Sequence, residues 1–291
     1  MRNFDTLPIR FTSSDVLIPK RDVQSHKGTF GKVAILAGCP DYPGAGFLAL
    51  SAARAALASG AGYTKLCVAN SLWPAYASRV EGETLALLPD EDGYLLPDLD
   101  AIDSAVSGSN AVIAGPGLAG GNVQKIILHL IRSVNVPLIL DAGALNAICD
   151  VPDPFKGAKN VIITPHLGEF SRLTGKAINE INPVRDSIQY ATSQGITVHL
   201  KGHESVTAYP DGRAYITCEG TPALAKAGSG DVLSGIIGAL TAQGIAHPVE
   251  TATIIHGRAA RLAEAEFGEQ GVLQADVVGK IALSVSRLIK N

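Results

Sequence analysis

Short apolar runs alternate along the chain with longer stretches of helical period. Residues 33–38 (VAILAG) read as a buried strand and residues 63–69 (YTKLCVA) as a second. Between them, residues 44–60 form an Ala-rich helix whose small side chains allow close packing. Residues 110–118 (NAVIAGPGL) run as a strand into a Gly-Pro-Gly turn. Residues 136–145 (VPLILDAGAL) and 160–170 (NVIITPHLGEF) repeat that design, an apolar strand followed by polar or turn residues at its C-terminal end. Residues 197–202 (TVHLKG) follow, then a hairpin across Tyr209, Pro210, Asp211 and Gly212, because P-D-G between β-type runs presets a turn. The last third is helical, over 230–244, 248–267 and 274–289.

Uninterrupted apolar strands alternating with helices predict an α/β fold. A mostly parallel central sheet is then covered by helices on both faces. Ligands of such sheets bind beyond the C-terminal ends of the strands, which is where the polar residues gather. Residues 1–24, polar with two prolines, read as an N-terminal arm, and residues 25–291 as a single domain.

Composition narrows the function. Apolar residues make up 46% and charged residues 18%, enough for a large core. A net charge of −3 gives no global attraction to nucleic acid or an anionic membrane. Cys39, Cys67, Cys149 and Cys218 are far apart and form no C-x-x-C, so neither a zinc site nor a disulfide framework is expected. They read as small buried apolar residues of a reducing compartment. MRNFDTLPIR has no apolar segment of the secretory type, and no apolar run reaches the ~18 residues of a membrane span. The expectation is a cytoplasmic protein.

The candidate chemistry centres on KAGSGDVLSG, residues 226–235. Gly228, Ser229 and Gly230 before a helix offer free backbone N–H groups at a positive dipole end, an anion hole. Asp231 is either a cap or first-turn acid, or a base that takes a proton from a hydroxyl as its oxygen attacks phosphorus. In TPHLGE, His166 suggests ligand contact, and Glu169 an indirect contact to magnesium or water; no further His or Cys completes a metal set. In KGHES, Lys201 is either a phosphate contact or a solvated strand-end lysine. The turn at 115–117 either closes tightly or lets a ligand approach. Asp141 follows four apolar residues, where an acid needs a partner. KGTFGK at 27–32 precedes a strand and lacks the P-loop pattern, and no G-x-G-x-x-G follows the first strand, which disfavours a Rossmann dehydrogenase.

Together SHKGTFGKVAILAG, YPGAGFLALSAARAALASGAG, AGPGLA, LDAGALN, ITPHLGEFSRLTG, LKGHES and GTPALAKAGSGDVLSG resemble the NAD(P)H-hydrate dehydratases of the ribokinase-like superfamily, over residues 25 to 290 or so. The resemblance implies dehydration of the S epimer of C6-hydrated NADH or NADPH, driven by phosphoryl transfer. The donor is ADP in bacterial members and ATP in eukaryotic ones. It implies Mg²⁺, Asp231 as the base, and Gly228 to Gly230 as the anion hole. It assigns Ala45, Gly117, His166 and Asp231 to the hydrate. Lys201, Gly202, His203, Glu204, Ser205 and Gly230 fall to the nucleotide. It also implies a homotetramer working with a separate epimerase, as the single-function form. Departures are Gly143, where the family commonly has a second Asp, and Ser205, where it usually reaches Thr. The rival is a ribokinase-like small-molecule kinase such as a hydroxymethylpyrimidine kinase, which would typically carry Asn where His166 stands. A non-catalytic nucleotide sensor would bind without turnover.

Overall fold

The computed structural model describes residues 7–41 and 43–289, and only the backbone of 43–46. Its strands are β1 (Ile9–Arg10), β2 (Lys32–Leu36), β3 (Tyr63–Ala69), β4 (Thr84–Leu88), β5 (Asp90–Glu91), β6 (Tyr94–Leu95), β7 (Ala111–Ala114), β8 (Leu138–Leu140), β9 (Val161–Ile163), β10 (Thr197–Leu200), β11 (Ser205–Ala208) and β12 (Ala214–Thr217). Its α-helices are α1 (Pro43–Ala58), α2 (Trp73–Ala77), α3 (Leu99–Val106), α4 (Val123–Ser133), α5 (Gly143–Ile148), α6 (Leu167–Thr174), α7 (Pro183–Gln194), α8 (Ser229–Ala242), α9 (Pro248–Phe267) and α10 (Gln274–Ser286).

One sheet runs in the order β1-β12-β11-β10-β9-β8-β7-β2-β3-β4. It is parallel except where β11 pairs antiparallel with β10 and β12. The cores of β7, β8 and β9 are wholly buried because helices cover both faces. Alternation along β2 divides the core: Val33 and Ile35 face α1, α8 and α9, while Ala34 and Leu36 face the layer of α3 to α7. From β2 the chain steps outward through β3 and β4. It then returns to the other flank of β2 as β7 and steps the opposite way through β8, β9 and β10. The reversal opens a crevice between the loops after β2 and β7, bridged by the Gly38 N–H donating to the Pro116 carbonyl at 2.9 Å.

The hairpin expected at 209–212 is β11–β12, and a second, β10–β11, turns through Gly202 to Glu204. The N-terminal stretch joins the sheet: β1 lies parallel to β12, and Phe11 and Val16 are buried. The Ala-rich helix packs as its composition suggests. A Cβ on Gly235 of α8 would lie 2.1 Å from the Ala52 carbonyl oxygen of α1, so the two backbones touch. Of the cysteines, Cys39 and Cys67 are buried, but Cys149 and Cys218 are only half-buried; all four are free thiols. Among the described residues no helix is long and apolar enough to cross a membrane.

Candidate active site

Three neighbouring strand ends and one helix start build the site. β8 delivers Asp141, β9 delivers Thr164 to His166, β10 delivers Lys201, and α8 begins at Ser229. Asp141 is 1% exposed, and Lys201 donates Nζ to its Oδ1 at 2.7 Å. Ser234, from the second turn of α8, donates Oγ to Oδ2 at 2.8 Å. The acid whose role the sequence left open is therefore the anchor of the site's lysine. Burial pushes the Asp141 carboxyl up, but Lys201 outweighs it and holds it below the usual range. Burial likewise disfavours the Lys201 ammonium, and Asp141 then Glu169 outweigh it, so its pKa is raised. Both groups are charged at neutral pH. Ala142, next in sequence, takes φ +48°, a strained value for a residue with a Cβ.

Helix α8 starts on Gly228, at φ +89°, a left-handed conformation natural to glycine. A Cβ there would also meet Leu48 Cδ2 at 2.6 Å. Asp231 is the third residue of the helix, a first-turn acid and not its cap. Within the expected anion hole the Ser229 N–H turns back to the Lys226 carbonyl at 3.3 Å. A Cβ on Gly230 would lie 3.1 Å from Lys201 Nζ, so a glycine there lets the helix start press against the ammonium. Burial, then the charge of Asp141, push the Asp231 carboxyl up to about 7, against the pull of Lys201. A carboxylate in that range is suited to accept a proton at neutral pH.

Beside this helix start opens a cavity of about 730 Å³, a volume usual for small-molecule sites. His166, Lys201, Gly202, His203, Ser205, Ser229 and Gly230 line it, so the fold gathers these sequence-chosen residues around one space. Glu204 does not: its Oε1 accepts from Cys218 Sγ at 3.2 Å and lies 3.8 Å from Arg10. The Ser205 hydroxyl closes the β10–β11 turn by donating to the Gly202 carbonyl at 3.1 Å. Gly117 and Asp231 are not in the cavity wall. Ala45 falls in the first turn of α1, with its side chain outside the described residues.

His166 and Glu169 are engaged with each other. His166 caps α6, its Nδ1 accepting from the Gly168 N–H at 3.0 Å and the Glu169 N–H at 3.3 Å. Glu169 Oε2 accepts from the His166 N–H at 2.8 Å. This reciprocal capping box leaves the histidine side chain 57% exposed on the cavity rim. Glu169 is buried and outside the cavity wall, and its carboxylate positions His166.

The far wall was not singled out by residue in the sequence. It comprises Glu219 to Pro222, Leu224 to Ala227, and Thr253, His256 and Gly257 of α9. Residues 220–227 sit inside GTPALAKAGSGD, a quoted motif, so their signal was present; α9 carried none. Burial, then Lys201, push the His256 imidazole down to about 4, so it is neutral. Lys226 is fixed by donating Nζ to the Gln270 and Val272 carbonyls at 2.6 and 2.5 Å. Gly143 has a steric reason of its own: a Cβ there would stand 2.0 Å from the Leu118 carbonyl oxygen, so the turn at 115–118 closes where a larger residue would push it away.

Comparison with known proteins fits this arrangement. Residues 33–282 match the NAD(P)H-hydrate dehydratase family. A bifunctional NAD(P)H-hydrate repair enzyme of Thermofilum pendens is 33% identical over 95% of this chain and 54% of its own length. The chain thus spans about half the length of such bifunctional relatives. The ADP-dependent (S)-NAD(P)H-hydrate dehydratase of Bacillus subtilis is 38% identical over 84% of this chain and 85% of its own. The crystal structure of the B. subtilis ADP/ATP-dependent enzyme, co-crystallised with ATP and Mg²⁺, superposes with a TM-score of 0.81 at 31% identity. It covers 97% of this chain and 99% of that one. With the sheet order, the Gly-rich start of α8 and matches spanning nearly the whole chain in agreement, this protein belongs to the NAD(P)H-hydrate dehydratase family.

Proposed function

We propose that the chain dehydrates the S epimer of NADH or NADPH hydrate, with ADP as phosphoryl donor. The observation that carries this is Asp231: a carboxylate lifted to neutral proton affinity, one residue beyond a glycine that lines a nucleotide-sized cavity beside Lys201. Asp231 takes the proton of the C6 hydroxyl. The hydroxyl oxygen attacks the terminal phosphorus of ADP and AMP leaves. The ring nitrogen lone pair then expels phosphate as a proton is lost from C5, which restores the C5–C6 double bond. The N–H groups at the start of α8 and Lys201 stabilise charge on the transferring group. His166 and the turn at Gly117 contact the hydrate, and the 201–205 turn holds the nucleotide. A Mg²⁺ ion would neutralise part of the phosphate charge. No cluster of three His, Cys, Asp or Glu side chains stands among the described residues, and the nucleotide phosphates would supply most of its ligands. Cytoplasmic location, a homotetramer and supply of substrate by a separate epimerase complete the proposal.

The test mixes the protein with NADH hydrate, Mg²⁺ and either ADP or ATP, and follows the absorbance of the regenerated dihydronicotinamide. Recovery with release of free phosphate supports dehydration. A stable phosphate ester on an acceptor alcohol would instead identify a ribokinase-like kinase.

A further inference from the structure

A second cavity, of about 240 Å³, lies between α9 and α10 and is lined by Arg258, Arg261, Arg287, Leu262 and Ser284. The helices meet here: Ser284 Oγ donates to the Ile255 carbonyl at 3.1 Å. Arg258 and Arg287 lie three residues beyond these two contacts, one turn further on along each helix. Three arginines border one concavity, Arg258 half-buried and Arg261 and Arg287 exposed, so their like charges repel through partly screened contacts. Carboxylates elsewhere in the fold would ordinarily offset this, yet Arg258 and Arg287 have no ion-pair partner among the described residues. Glu266 is paired with Lys280 and Glu219 with Arg261, while Glu264 accepts from the Thr221 hydroxyl. The C-terminal dipole of α10 offsets only part of the charge on Arg287.

We propose that this arginine pocket binds a phosphate-type oxyanion, and that its occupancy weakens the grip of the main cavity on its ligand. Guanidinium groups match phosphate oxygens two at a time, and three arginines line this cavity. The link runs through Arg261. Its partner Glu219 lines the main cavity. The Glu219 backbone also presses on α9, where a Cβ on Gly257 would lie 2.3 Å from its carbonyl oxygen. An anion that takes the donors of Arg261 draws it from Glu219 and releases that wall. The coupling rests on the nucleotide reading of the main cavity; anion binding itself does not.

ADP is first titrated into the protein by calorimetry, and inorganic phosphate and a small phosphate monoester are then titrated separately at low ionic strength with ADP saturating. One further site is expected for at least one of the two. Its affinity falls about tenfold or more in Arg258→Gln/Arg287→Gln, the usual loss for charged hydrogen bonds, and is largely kept in Arg258→Lys/Arg287→Lys. Phosphate should also lower ADP affinity in the wild type and not in the Gln variant. No uptake by the wild type, or equal uptake by a folded Gln variant, overturns the proposal. If ADP fails to bind, the nucleotide reading falls. The anion titration is then run on the free protein, where arginine dependence still decides.

Discussion

Asp231→Asn separates chemistry from folding because its two expected effects have opposite signs. The amide keeps the size of the side chain and cannot accept the hydroxyl proton, so turnover should fall by ~10²–10⁴, the usual share of a general base. Stability should move the other way. The Asp231 carboxyl ionises near 3.8 in an unfolded chain and near 7 in the fold. Below the first value it is protonated in both states and contributes nothing. Between the two, the unfolded chain releases the proton and the folded one retains it, so stability falls as pH rises. Above about 7 the penalty is complete. The difference in proton affinity is roughly a thousandfold, on the order of 4 kcal/mol as a ceiling. Asp231 is not fully buried, which reduces this, and a gain of about 1–3 kcal/mol in the Asn variant is reasonable. That raises Tm by roughly 2–10 °C for a domain of this size. The assays are kcat with ADP and NADH hydrate, and thermal melts from about pH 4 to 8. The Tm gap should open across that range and level off at its top. Turnover within a few-fold of wild type would refute the base. A Tm gap absent at every pH would refute the electrostatic account of it.

The same group gives a pH profile: kcat/KM should climb as pH rises through about 7, and lose that limb if a different base works. Lys201→Ala leaves Asp141 buried without its cation, so a stability loss of roughly 3–5 kcal/mol should accompany weaker ADP binding, as melts and calorimetry would reveal. His166→Ala removes both a cap and a rim contact, costing about 0.5–2 kcal/mol and raising the KM for the hydrate more than that for ADP. His166→Asn should recover the stability alone, because Asn also caps. Gly235→Ala forces α1 and α8 apart and should cost about 1–3 kcal/mol in a denaturant melt; a neutral result would show that the helices separate freely.

Strands flanked by helices were legible because their apolar runs are buried on both faces, as in β7 and β8. α9 begins and ends where the periodicity placed it, at Pro248 and Phe267. β4 was missed: TLALL is a flanking strand with two positions exposed, two partly buried and only Leu88 buried, so its pattern is weak. α4 was passed over although Val123, Ile126, Ile127, Leu130 and Ile131 mark one buried face. In the site, Gly230 and Lys201 carried signals because loop chemistry is local. The partnership of Asp141 with Lys201 did not, since it joins residues 60 positions apart. The outward turn of Glu204 was equally hidden, being set by Cys218, just past β12, and Arg10 of β1.

The parallel pairing of β1 with β12 has a consequence for the order of events during synthesis. Ile9 and Arg10 leave the ribosome before their partners Tyr215 and Ile216, which follow about 200 residues later. At ordinary translation speeds of ~5–20 residues per second, that is a wait of roughly 10–40 s. During it the start of the chain has no sheet to join, while β2, β3 and β4 already have neighbours close behind them in sequence. β1 is therefore made before the other strands of this sheet and is among the last of them to dock. The nascent chain carries it as an open strap, fastened only once the β11–β12 hairpin has emerged.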